Sequence, residues 1–417
     1  MNIKSILLGS AAALVAVSGA RAADAVVMVE PEPAEYLRIC DAYGEGFFYI
    51  PGTETCLKFS GYLRFRVQAN DQEYNTDLDG VEDHTAGMRL RARLDFDARE
   101  ETELGTLRGK ARLEANNTFS GTADYQMDEG FIQLGGLTIG YLDSLWTNNE
   151  GGIEDGLLVD EAEFSAGDIN ANRISYTYNQ SGFSASLSLE DDGDGDVVPD
   201  ALGKLAYKGK WGGVYVLGTY DEDASATQNS RGGFDPLDLR TIYSLSESNG
   251  DDADDGAFVV KAGLLLEDLV TADSQLKFEG HYATDPSAYA VVSDVGRYST
   301  RGTNDFNQTS LTSVNGGRMN LSSEWQVGAA ARQDFGKLFV IGNAIYGKTF
   351  DLDATSPGFD YGNVGQIDYY GLATDIGYDL TRSFTVKAEL SYVDLDLPAG
   401  IDDYDQTRGF LEFRRDF

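Results

Sequence analysis

The segment Gly87–Arg99, GMRLRARLDFDAR, alternates without a break. Met88, Leu90, Ala92, Leu94, Phe96 and Ala98 fall on one side, and Arg89, Arg91, Arg93, Asp95, Asp97 and Arg99 on the other. Successive side chains of a β-strand point to opposite faces, so this strand has one apolar face and one charged face. Three arginines in sequence on one face cannot enter a dry core, because unpaired buried charge is too costly. That face is wet. A half-exposed sheet of a soluble protein meets this condition, and so does the wall of a membrane barrel around a watery lumen.

The rest of the chain discriminates between them. Alternation predicts strands at 58–69, 87–99, 106–116, 127–134, 137–143, 172–178, 183–190, 201–210, 214–221, 257–266, 275–283, 324–333, 338–349, 368–378, 384–394 and 407–417. About sixteen strands, an even number, suits an all-β, up-and-down antiparallel transmembrane barrel. Phe183, Ala185, Leu187 and Leu189, for example, oppose Ser184, Ser186, Ser188 and Glu190. Candidates 127–134 and 338–349 alternate less cleanly, which leaves their facing open. Every second connection is brief, as at Gly135–Gly136 and Trp211–Gly213, whereas 70–86, 144–171, 221–256, 284–323, 351–367 and 395–406 are long and acidic. Short turns at one end and long loops at the other is the outer-membrane pattern. A soluble sandwich has no reason to keep that parity.

The N-terminus, MNIKSILLGSAAALVAVSGARA, carries Lys4, an apolar run Ile6–Val17 and an Ala20-Arg21-Ala22 cleavage pattern. It reads as a secretory signal peptide over residues 1–22, the apolar run being short of the about 20 residues of a spanning helix. The whole chain carries a net charge of −37; the first 22 residues hold Lys4 and Arg21 and no acid, so the remainder stands at −39. Such a balance argues against nucleic acid as a partner. In an exported chain the two cysteines, Cys40 and Cys56, favour one disulfide within an N-terminal segment 23–57, with free thiols or half a metal site as the alternatives. His84 and His281 are the only histidines, so a Cys/His zinc site is poorly supplied. Asp192, Asp194 and Asp196 imitate the start of a calcium loop, but Val197 and Gly203 stand where Gly and Glu are needed. No metal or cofactor is expected.

The segment Cys40–Phe65, CDAYGEGFFYIPGTETCLKFSGYLRF, closely resembles the N-terminal signature of the general porins of rhizobial and brucella-type alphaproteobacteria. The preceding EPEPAEYLR and the closing GFLEFRRDF resemble the same family, and the likeness runs the full length, by pattern more than by motif in the interior. The resemblance implies a sixteen-stranded outer-membrane barrel over 58–417, a homotrimer, and passive diffusion of small hydrophilic solutes and ions. It also implies that the third long loop, about Ser144–Ala171, folds into the lumen and narrows it.

With the apolar face outward, Arg64 and Arg66, then Arg89, Arg91 and Arg93, then Arg108, Lys110 and Arg112 turn inward on three successive strands and give the lumen a basic wall. The loop offers Glu150, Glu154, Asp155, Asp160, Glu161, Glu163 and Asp168 opposite. Such charge across a narrow point selects ions and orients dipolar solutes. The plainer reading is lateral pairing of the arginines with Asp95, Asp97 and Glu114; the two are compatible. Lipid and lipopolysaccharide are the expected neighbours outside, with divalent ions bridging the acidic loops. A sugar-selective channel would need an aromatic track inside, and most Tyr and Phe fall outside. A barrel hydrolase would need His84 or His281 beside a nucleophile, and neither carries a serine motif. A soluble adhesin or sandwich is the remaining alternative, and would extract without detergent.

Overall fold

The computed structural model describes residues 38–74, 83–117, 123–147, 153, 156–159, 164–167, 169–191, 197–222, 244–247, 256–291, 322–356, 359–396 and 404–417. The signal-peptide reading and the calcium-like aspartates lie outside these residues.

Sixteen antiparallel strands form the wall: β1 (Cys56–Tyr74), β2 (Asp83–Thr102), β3 (Gly105–Asn117), β4 (Ala123–Leu134), β5 (Leu137–Asp143), β6 (Asn170–Gln180), β7 (Phe183–Asp191), β8 (Asp200–Gly209), β9 (Gly212–Asp221), β10 (Ala257–Glu267), β11 (Ser274–Ala283), β12 (Ser323–Phe335), β13 (Leu338–Thr349), β14 (Asp368–Thr381), β15 (Phe384–Asp396) and β16 (Tyr404–Asp416). Each pairs with its sequence neighbours, and β1 pairs with β16 from Tyr62↔Asp416 to Tyr74↔Tyr404, which closes the barrel and leaves the meander no free edge. The closure extends to the terminus, where Phe417 exchanges two backbone hydrogen bonds with Gly61 and its ring lies 6.1 Å from that of Phe59.

Burial is inverted relative to a soluble protein. Leu187 is 72 % exposed, Ile132 63 % and Phe258 61 %, while Lys261, Lys204 and Ser186 are 0–3 % exposed. Greasy residues face out around the barrel and polar ones face in, which only a lipid surround makes favourable. A soluble sandwich is thereby excluded.

The two doubtful strands have identifiable causes. In β4 the register slips, so that Arg112 pairs with Glu129 and Leu113 with Met127, leaving Asp128 as an extra residue. In β13 the inward positions include the apolar Ile341 and Ile345, each 4 % exposed, and Ile345 lies beside Leu157 and Phe164 of a loop that covers it from inside. Three segments expected as plain loop form a small separate sheet instead, with Leu352–Ser356 pairing on one side with Ser244–Glu247 and on the other with Phe359–Gly365.

Below Phe417, the short strand Phe47–Tyr49 pairs with β1 from Phe47↔Lys58 to Tyr49↔Cys56, continuing the track of β16 along β1. Cys40 and Cys56 form a disulfide, and with Phe47 they make a small buried cluster. Arg99 and Lys58 lie over the Phe47 ring at 5.0 and 5.9 Å. Closing a loop of this length contributes about 3 kcal/mol in the chain-entropy model. Cys40→Ser with Cys56→Ser should therefore leave the barrel folded but expose residues 41–55 to protease; cleavage no faster than in the unaltered protein would show that pairing alone holds the loop.

Candidate functional site

Three neighbouring strands build one inner wall. On β1 to β3 the cations expected to face the lumen sit on the face opposite the exposed Leu63, Phe65, Met88 and Leu90. Arg64 lies directly across from Arg91, and Arg66 across from Arg89. Like charges placed opposite one another cost stability. The block is held by Glu412 of β16, 2.5 Å from Arg66 and 3.8 Å from Arg64, by Glu114, 3.3 Å from Arg91, and by Asn116, whose Oδ1 accepts from Arg89 and Arg91 at 3.0 and 2.7 Å.

Nearer the short-turn end the wall becomes an ion-pair lattice. Arg93 lies 2.6 Å from Glu114, Arg108 2.8 Å from Asp97, Lys110 2.7 Å from Glu129 and Arg112 2.8 Å from Asp95. Arg112 also reaches Glu129 at 2.6 Å and Asp128 at 3.2 Å. The lateral pairing with Asp95, Asp97 and Glu114 thus coexists with the inward facing. The sequence reading missed three carboxylates. Glu412 comes from the far end of the chain across the closing seam, and Asp128 and Glu129 lie where the alternation slips.

Inner aromatic rings are present but capped. Tyr62 has Arg414, Arg93 and Arg64 at 4.3, 5.1 and 5.7 Å from its ring centroid, and Phe410 has Arg66 at 4.3 Å. Arg108 covers Phe131 and Arg332 covers Phe339. Rings already stacked by guanidinium do not offer the bare track that a sugar-selective channel needs.

The third long loop leaves β5 after Asp143 and returns at Asn170, slightly short of the expected boundary at Ala171. Its described residues lie against the opposite inner wall. Ile153 packs with Ala206 of β8 and Tyr215 of β9. Glu279 of β11 accepts from the Gly156 N–H at 2.7 Å and also from the hydroxyls of Ser165 and Tyr215. Gln326 of β12 donates to the Phe164 carbonyl at 2.6 Å. Glycines in the wall make room: a Cβ at Gly213 would fall 2.4 Å from Ile153, one at Gly328 2.7 Å from Leu157, and one at Gly371 2.8 Å from Phe164. Neither the apolar anchors nor these glycines were singled out in the sequence. The available signal was Ile153, Leu157 and Phe164 in an otherwise acidic loop. The seven acids expected on it, Glu150, Glu154, Asp155, Asp160, Glu161, Glu163 and Asp168, lie outside the described residues.

A second loop clasps the first. Trp146 is fully buried, donates from Nε1 to the Ala166 carbonyl at 2.8 Å, and meets Tyr289 edge-on at 5.6 Å. Lys261 sits 4.6 Å over the indole. Gly167 donates to the Val291 carbonyl at 2.7 Å. The Tyr289 hydroxyl donates to Asp200 at 2.7 Å, and burial, reinforced by Glu190, Asp200 and Asp221, raises its pKa above the ordinary value and keeps it a donor. His281 is spent on structure, its Nε2 lying 2.9 Å from Ser323 Oγ, which itself bonds the Ala290 carbonyl. The His84 side chain lies outside the described residues.

These features match known proteins. A family profile described as the porin subfamily fits residues 24–408. Porin Omp2b of Brucella suis biovar 1 (strain 1330) is 43% identical over 250 residues, covering 53% of this chain and 66% of that protein. Porin Omp2b of Brucella melitensis biotype 1 is 42% identical over the same length. The match thus spans about two thirds of the length of these curated relatives. Among solved structures, the outer membrane channel DcaP of Acinetobacter baumannii superposes with a TM-score of 0.56 at 12% identity, covering 88% of this chain and 99% of that one. The trimer form of OmpT from Vibrio cholerae gives 0.50 at 12%, covering 88% and 100%. At such identity the superpositions speak for the fold, a closed outer-membrane barrel. The family profile and the Brucella relatives carry the assignment further: this chain belongs to the porin family.

Proposed function

We propose that the chain forms a water-filled channel for passive diffusion of small hydrophilic solutes and ions across the bacterial outer membrane. The observation that carries this reading is the inverted burial of the wall, polar inside and apolar outside, around a barrel closed between β1 and β16. In this reading the loop after β5 is the constriction, because it is bolted to the inner faces of β9, β11 and β12 and divides the bore. It seals Lys261 and Glu279 away from solutes, so a permeating ion meets the loop on one side and the arginine wall of β1–β3 on the other. Fixed charges there hold water, repel co-ions and orient dipoles, while the weak net binding of a lattice already paired lets solutes leave.

The channel works as a homotrimer, a reading supported by family membership and by the trimer form of OmpT. Its outward apolar face meets lipid, and its acidic external loops meet lipopolysaccharide through divalent ions. The test is planar-bilayer recording under a salt gradient. Stepwise openings, grouped in threes, are expected; membranes that stay at lipid baseline with folded protein present would overturn the channel reading, and strictly single steps the trimer.

A further inference from the structure

Four observations coincide on β4. The register slips at Asp128, so one residue of β3 faces two of β4. Met127 is 53 % exposed and Ile132 63 % exposed on the lipid side, yet Asp128 and Glu129 both reach cations of the inner wall. β4 stops pairing with β5 at Gly130↔Tyr141, just where the bulge begins. Finally, the Asp128 carbonyl accepts from the side chain of Asn170 at 2.9 Å, and Asn170 is the residue at which the lumen loop rejoins the wall.

A β-bulge re-aims a side chain, and bulges concentrate beside functional sites. Strict alternation would send one of two successive residues into lipid, where a carboxylate is not tolerated. The bulge is what allows the sequence Asp128-Glu129 to stand in a membrane strand at all. Its consequence is an extra negative charge inside, 3.2 Å from Arg112 and 3.4 Å from Arg93, at the height where the loop departs.

We propose that Asp128 is a selectivity-determining residue: the bulge sets the charge of the basic wall by adding one carboxylate to it beside the constriction. This rests on the channel reading above. The side chain touches two guanidiniums rather than filling a core position, and 19 % of it remains accessible from the lumen, so its charge is felt by passing ions. Glu129 beside it is pinned between Lys110 and Arg112 and only 7 % accessible, which leaves Asp128 the more influential of the two.

The test compares zero-current potentials of the full-length protein in planar bilayers under a potassium chloride gradient. Asp128→Asn keeps the shape and the backbone acceptor and removes the charge. A unit charge a few ångströms from the path should change the anion-to-cation permeability ratio about two- to fivefold, here towards anions. Glu101→Gln, an exposed acid at the short-turn rim, should leave the ratio unchanged. Asp128→Cys offers a second route: the native cysteines are tied in their disulfide, so an anionic thiol reagent should return the ratio towards its starting value, while a neutral reagent of similar size should not. Normal openings with an unshifted ratio in Asp128→Asn, or equal effects of the two reagents, would overturn the assignment and leave the channel reading intact. Absence of openings from the unaltered protein would instead remove the channel reading.

Discussion

Arg89→Glu combined with Arg91→Glu should move the zero-current potential strongly towards cation selectivity. The two residues face Arg66 and Arg64 across β1 and β2, so the four guanidiniums form one compact block on the inner wall. Their upkeep is costly, since like charges face each other directly. Glu412, Glu114 and Asn116 share the work of holding them. A unit charge acting across roughly 8 Å of water changes an ion's energy by about 0.5 kcal/mol. Replacing two cations by two anions is a change of four charges, of which salt screening at that distance removes a good part. A fall in the anion-to-cation permeability ratio on the order of tenfold is the expected size. The new glutamates would lie across from Arg64 and Arg66 and pair with them, so the wall should still fold, which heat-dependent migration on a gel can verify. An unchanged potential in a folded variant would place these residues outside the permeation path and make their pairing purely structural.

Much of the barrel was legible because its signal is local. Period-two alternation located all sixteen strands, and the parity of short and long connections ordered their ends. What escaped the sequence depends on contacts that alternation does not encode. The bulge at Asp128 breaks the period, so Asp128 and Glu129 could not be assigned to a face. Glu412 is a partner of Arg66 only because the last strand returns to the first. The inward Ile345 looks misplaced until the loop that covers it is known. The small sheet joining Ser244–Glu247 to Leu352–Ser356 pairs segments about a hundred residues apart, beyond the reach of any periodicity. The basic wall was readable as a face, whereas its counter-charges were readable only where they sat on the same strands.

The other large effect concerns the loop. Trp146→Ala should raise single-channel conductance and open-channel noise together. Truncating a fully buried tryptophan costs about 3–5 kcal/mol, and the loss falls on the loop, because the barrel wall keeps its own ladder of hydrogen bonds. The indole is the piece that the Tyr289 ring, the Lys261 ammonium and the Ala166 carbonyl all hold. Gly167→Val attacks the same clasp from the backbone. Its φ of +74° is unfavourable for a β-branched residue, and a Cβ there would lie 2.7 Å from the indole and 2.9 Å from the Tyr289 carbonyl. Tyr289→Phe should be milder, since it keeps the ring and removes only the hydrogen bond to Asp200. Local opening energies govern loops of this kind, so the three variants should rank in noise with the phenylalanine last. If Trp146→Ala and Gly167→Val both pass current in quiet steps of the original size, the loop does not limit flow. The resistance would then belong to the arginine wall alone.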